Sequence, residues 1–208
     1  YTLFMQQSDV IFSLPFNDSW TVFWGGDSLE QNHHHTTKSQ KYAFDFIVTD
    51  AERKFFRTNG SVNEDYYSYG REVLSPADGE IIEVVNGLRD SKPKELNNFS
   101  FIGNYTMIKH NKNTYSVLGH LKQNSIGVKA GDIVKSGDVL AHCGNSGYTT
   151  DPHLHFHVQD SSIFAKVDYE YNLIEIAKAK KVYFTKLKVN NKLVDNYSPI
   201  RGDIVCRE

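Results

Sequence analysis

Between Pro152 and Asp160 the chain reads His153-Leu154-His155-Phe156-His157-Val158-Gln159, imidazoles alternating with apolar side chains. In a strand successive side chains point to opposite faces, so His153, His155 and His157 share one face, ~7 Å apart, while Leu154, Phe156 and Val158 enter a core. Imidazoles in register suit a metal site or acid/base chemistry. Zinc takes about four ligands, and a catalytic zinc keeps one position for water. Same-face histidines of one flat strand cannot all reach one ion, so further ligands must come from elsewhere in the chain. The candidates are His33-His34-His35 and Asp45, the one charge in Tyr42-Ala43-Phe44-Asp45-Phe46-Ile47-Val48. A carboxylate in such a run is expensive to bury unless it is paired or coordinated. His120, in Tyr115-Ser116-Val117-Leu118-Gly119-His120-Leu121, faces either the same site or the core. His157 is a partner of a ligand, a surface histidine or an alternative ligand.

The elements that must position these residues read as short strands. With 13 Phe, 12 Tyr and 14 Gly against 5 Pro in 208 residues, the composition favours strands joined by tight turns. Strands are expected at Trp20 to Trp24, with its aromatics packed inward, and at Tyr42 to Val48, Glu80 to Val85, Tyr105 to His110 and Tyr115 to Leu121. Others are expected at Ile133 to His142, His153 to Gln159 and Val182 to Val189. Turn signals such as Asp78-Gly79 and Ser136-Gly137-Asp138 lie between them. The stretches from Ala51 to Arg71 and from Asn86 to Asn104 read as long loops that rim a groove. Tyr66, Tyr67 and Tyr69 either line that groove or pack their loop down. Leu173, Ile176 and Ala177 share a helical face, which predicts a helix over Asn172 to Lys181. The expected fold is mainly β: an antiparallel β-sheet with an open groove, long loops and one or two peripheral helices.

The length and the lack of a linker predict a single domain over 1–208. It has a motif core at about 31–160, an N-terminal strand or extension over 1–30, and a C-terminal helix and strands over 161–208. Lys and Arg total 23 against 25 Asp and Glu, a net charge of -2, which argues against general nucleic-acid binding. No run approaches the ~20 apolar residues of a membrane span and the N-terminus lacks a signal-peptide pattern, so the chain shown is expected to be soluble, without its signal or anchor. Cys143 and Cys206 are too few for a thiolate-only zinc site, and they either pair or stay as thiols.

An ordered set of motifs resembles the lysostaphin-type, or LytM-type, zinc endopeptidases of bacterial cell walls. It runs from Ser75-Pro76-Ala77-Asp78-Gly79 through Gly103 to Ile108, Tyr115 to Leu121, Val128-Lys129-Ala130-Gly131-Asp132 and Gly137, to Gly144-Asn145-Ser146-Gly147 and on to Phe156. The resemblance covers roughly Gln31 to Asp160. It implies an open antiparallel groove, one Zn2+ per chain, Asp45 and His155 as metal ligands, and His120 and His153 as the catalytic pair. The third ligand is one of His33, His34 and His35. The usual first motif sets its His four residues before its Asp, whereas here the nearest, His35, stands ten before Asp45. A branch with Asn-x-His followed at a distance by Gln-x-x-Ala-x-Asp selects His34. The implied activity is endopeptidase cleavage of peptidoglycan cross-links or stem peptides by a monomer in the extracellular space, cell wall or periplasm. The alternative is a catalytically latent module that binds wall or regulates a partner hydrolase.

Overall fold

The computed structural model describes residues 9–167, 170 and 173–208. The alternating segments form strands: β1 (Trp20–Trp24), β2 (Phe44–Ile47), β3 (Glu72–Leu74), β4 (Gly79–Val85), β5 (Asn104–Asn111), β6 (Thr114–Leu121) and β7 (Ile133–Val134). They continue with β8 (Val139–His142), β9 (Leu154–Gln159), β10 (Ala165–Val167), β11 (Leu173–Glu175), β12 (Leu187–Val189), β13 (Lys192–Val194) and β14 (Ile204–Arg207). Ten of them make one antiparallel sheet in the order β13-β12-β14-β1-β2-β9-β6-β5-β4-β7. The β10/β11 and β3/β8 pairs stand beside it.

Strand β9 behaves as its alternation predicts. Leu154, Phe156 and Val158 are almost fully buried in the core, which also takes Phe12, Phe16, Trp20, Phe44, Phe46 and Phe184. The register sets Leu118 of β6 opposite Phe156 and Phe156 opposite Phe44 of β2, a core row across three strands. The next row sets Gly119 opposite His155 and His155 opposite Asp45, so β6, β9 and β2 hold the candidate chemistry side by side on the other face.

Several expectations give way. Leu173–Glu175 is a strand paired with β10, and the chain beyond it stays extended, with Asp160 N donating to Lys178 O (3.0 Å) and Lys180 N to Val158 O (2.8 Å). The helix expected over 172–181 is therefore absent from its described residues, and Asn172 lies outside them. The apolar spacing there also satisfies period two, with Ala177 and Ala179 buried, and pairing with other strands decides between the two readings. The only helical segments among the described residues are the 3₁₀ turns His33–Thr36 and Asn63–Asp65, so no peripheral α-helix is found there. Ile133 to His142 is two strands, because Lys135 to Asp138 closes a turn through Gly137 at φ 98°. Only Leu187–Val189 of the expected Val182 to Val189 strand pairs regularly, since Lys186 at φ 51° breaks the ladder. In β1, Trp20 is buried, but Phe23 is 42% exposed and Trp24 partly so. The two cysteines are free, Cys143 buried and Cys206 half-buried.

Candidate active site

A cavity of about 410 Å³ opens over the β2-β9-β6 row. His33, His34, Asp45, His120, His153 and His155 all line it. Asp45 is at its centre, 3% exposed, with His34 Nε2 3.1 Å from Oδ2 and His155 Nδ1 2.9 Å from Oδ1. His153 Nε2 is 3.6 Å from Oδ1 and His33 Nε2 3.8 Å from Oδ2.

His34 arrives by a turn, not by a strand. Asn32, fully buried, accepts from the His34 main-chain N–H at 3.1 Å and donates to Ala43 O at 3.0 Å, tying the 3₁₀ turn to the entry of β2. The turn brings both His33 and His34 toward Asp45, and the ligand atoms of these three lie within 4.8 Å of one another. His34 is 9% exposed, whereas the His33 side chain is 52% exposed beside the Trp24 ring, with centroids 4.9 Å apart.

The catalytic candidates share a device. His120 Nδ1 donates to Ser146 O at 2.8 Å, and His153 Nδ1 donates to Asp151 O at 2.8 Å with Thr149 Oγ1 at 3.2 Å. Each imidazole thus has its Nδ1 proton held by a carbonyl, which leaves Nε2 as the free nitrogen. The ring centroids are 4.7 Å apart.

Behind the cavity, His155 Nε2 meets His157 Nδ1 at 2.9 Å, and His157 Nε2 meets Gln159 Oε1 at 3.0 Å. Burial pushes His155 down to about 3 against the opposing pull of Asp45, and His157 down to about 4, so both are neutral at pH 7. Burial also lowers His120, helped by His153 and His155. For Asp45 burial alone would raise the carboxyl. The His34 and His153 imidazoles and the close contacts that the His155 and His34 rings make with the carboxylate outweigh it and hold the group well below the usual carboxylate range.

His34, Asp45, His120, His153 and His155 therefore meet in one cavity, and His157 lies behind it. His35 does not line the cavity, and His110 is occupied elsewhere by Asp78 O and Ser116 Oγ. Both long loops reach the rim, through Phe55 from one and Leu96, Phe101 and Ile102 from the other. Tyr66 does not line the cavity; its hydroxyl donates to Asp151 at 2.5 Å and so props the loop that carries His153. Sequence reasoning missed Thr149 and the stacked Phe101–Tyr148 pair at the mouth, centroids 5.8 Å apart. Nothing local marks them.

The description of peptidase family M23 matches residues 65–193, more than half of the chain. This chain belongs to peptidase family M23. The M23 match takes in His120, His153 and His155 and leaves Asp45 and His33 to His35 outside it, in keeping with the unusual spacing of the first motif. An uncharacterized metalloprotease of Haemophilus influenzae is 34% identical over 98 residues, 46% of this chain and 18% of the relative. The peptidoglycan DD-endopeptidase ShyB of Vibrio cholerae is 36% identical over 89 residues, 43% of this chain and 18% of that protein. The matched part of this M23 chain thus spans under a fifth of the length of these two relatives. The catalytic domain of lysostaphin from Staphylococcus simulans is 22% identical, with 69% of this chain and 81% of that domain covered and a TM-score of 0.41.

Proposed function

We propose that this chain is a zinc-dependent endopeptidase that hydrolyses peptide bonds in peptidoglycan cross-links or stem peptides outside the cytoplasm. The observation that carries this reading is the convergence of a buried carboxylate, two imidazoles against it, and two further imidazoles with Nε2 free, all on one open cavity. The wall-peptide substrate is supported by the likeness to a peptidoglycan DD-endopeptidase.

The donor set suits zinc: His34 Nε2 and His155 Nδ1 flank a carboxylate kept ionised in a buried place. His34, Asp45 and His155 would hold the ion, leaving a position for water. When bound, zinc supplies Lewis acidity toward a peptide carbonyl and toward water. His120 and His153 supply the proton traffic at Nε2. One takes a proton from the attacking water as the C–O bond forms, and the other, protonated, gives one to the nitrogen as the C–N bond breaks. A protonated Nε2 also stabilises the negative charge that develops on the carbonyl oxygen. The carbonyls of Ser146 and Asp151 keep both rings aimed throughout, because each Nδ1–H stays engaged.

The test is release of new amino groups from purified peptidoglycan by the zinc-loaded protein, with a chelated sample alongside. Release that stops on chelation and returns with zinc is the expected result, and the new N-terminal residue names the bond. No release from walls of several cross-link types, with zinc bound, would favour a latent or regulatory module.

A further inference from the structure

His157 does not line the cavity, yet it is 1% exposed and both its ring nitrogens are engaged by neutral side chains. The chain of bonds through it has a direction that starts from a main-chain carbonyl. Gln159 lies 2.7 Å from Ser161 O, and a carbonyl only accepts, so the Gln159 amide group facing it is the NH₂. Gln159 Oε1 therefore faces His157 Nε2 and must receive a proton from it. Both side chains bonded to this ring are uncharged groups, an amide and another imidazole, and the ring is out of water, so His157 holds a single proton and its Nδ1 carries a lone pair. That lone pair accepts from His155 Nε2.

We propose that Gln159 and His157 are positioning residues that hold His155 as its Nε2–H tautomer, so that the Nδ1 lone pair is turned toward Asp45 and a metal ion shared with it. The inference rests on the ligand assignment proposed above. It accounts for the 2.9 Å approach of His155 Nδ1 to Asp45 Oδ1: two acceptors aimed at one another are what two ligands of a single cation present. It also accounts for the burial of three polar side chains in a row, since Phe164 packs on His157 with centroids 6.2 Å apart and keeps the relay from exchanging partners with water.

Two measurements on the full chain test it. With ¹⁵N-labelled histidine and bound zinc, long-range ¹H–¹⁵N spectra of the unmutated protein should show protons on Nε2 of both His155 and His157, with Nδ1 of both unprotonated. A proton on His155 Nδ1 overturns the proposal whatever any variant does. By chelator competition, zinc affinity should fall about 10–100-fold in His157→Phe and Gln159→Leu. His157→Gln, whose side-chain carbonyl can accept from His155 Nε2, should stay close to wild type. If His155→Ala loses zinc while a folded His157→Phe binds it as wild type does, this inference fails and the ligand assignment stands. If His155→Ala keeps wild-type affinity, the ligand assignment fails and takes this inference with it.

Discussion

Asp45 is the residue on which the site turns. Its carboxylate is out of water, and an ionised group there needs positive charge or hydrogen bonds to offset its desolvation. Four imidazoles answer it within 3.8 Å. Asp45→Asn or His155→Ala should therefore abolish stoichiometric zinc, as read by metal analysis of the purified protein. His120→Ala or His153→Ala should keep the zinc and lose about 10²–10⁴-fold in turnover; full zinc and full rate in His155→Ala would refute the ligand role. The buried histidines also set a pH dependence in the metal-free protein. His155 and His157 have folded values of about 3 and about 4 against an ordinary 6.5, so below pH 6.5 the unfolded chain takes up protons that the folded chain declines. Stability is thus lost as the pH falls from about 6.5 toward 4, by roughly 3 kcal/mol from His157 alone. Asp45, held below its ordinary value of 3.8, stays ionised in the folded chain, so its own contribution to stability is lost chiefly below that window, as the unfolded carboxyl takes up its proton. Urea denaturation of the metal-free protein at several pH values checks this, and a flat profile would contradict it.

At the scale of elements, the decisive feature is the irregular end of the β5/β6 pair. Thr106 faces Leu118 and Asn104 faces Leu121, so β6 spends one residue more than β5 in crossing the same interval. Simple alternation would send His120 to the core face with Leu118. The extra residue, with His120 itself at φ 57°, turns the imidazole into the cavity instead. A left-handed conformation at a residue with a Cβ costs on the order of 1–3 kcal/mol and persists only where its surroundings enforce it. Here the enforcement includes the His120 N–H to Ile102 O bond (2.9 Å) and the ring's bond to Ser146 O. Gly103 packs directly on that carbonyl: at φ 73°, a Cβ there would stand 2.1 Å from Ser146 O. Gly103→Ala should thus destabilise the fold by about 1–3 kcal/mol and reduce turnover with zinc retained. Gly70→Ala, at φ 77° with open space around it, should bring backbone strain and no loss of turnover. Equal turnover in the two variants would show that the Ser146 carbonyl does not position His120.

For the whole molecule, the central strands β2, β9 and β6 supply the row of chemistry, and the loops between strands build the walls. The ligand candidates come from a turn near the start of the described chain and from two strands far apart in sequence, so only the folded chain assembles them. Metal binding is then linked to global stability. Zinc at about 100 times its dissociation constant should add about 2.7 kcal/mol, seen as a rise in the thermal midpoint that a chelator reverses. Asp45→Asn should show no such rise. A wild-type midpoint indifferent to zinc would mean that the folded site does not bind the ion.

The strand periodicity of 153–159, the exclusion of Leu154, Phe156 and Val158 from the histidine face, and the demand of Asp45 for partners are all legible in the sequence, because alternation and desolvation act locally. The ordered motifs from Ser75 to Phe156 are legible only through their resemblance to a known family. Other features belong to tertiary structure. Reading His33 to His35 as a strand puts neighbours on opposite faces; the actual 3₁₀ turn, held by Asn32 on Ala43 O, sends His33 and His34 to the same carboxylate. The facing of His120 depends on an extra residue that exists only relative to the partner strand. The helical reading of 172–181 fails because its backbone groups find partners on other strands. The roles of His157 and Gln159 follow from a carbonyl at Ser161 that composition and spacing do not reveal. Periodicity is a property of consecutive residues, whereas register, bulges and hydrogen-bond direction are relations between segments, and they come into being only when the segments pack.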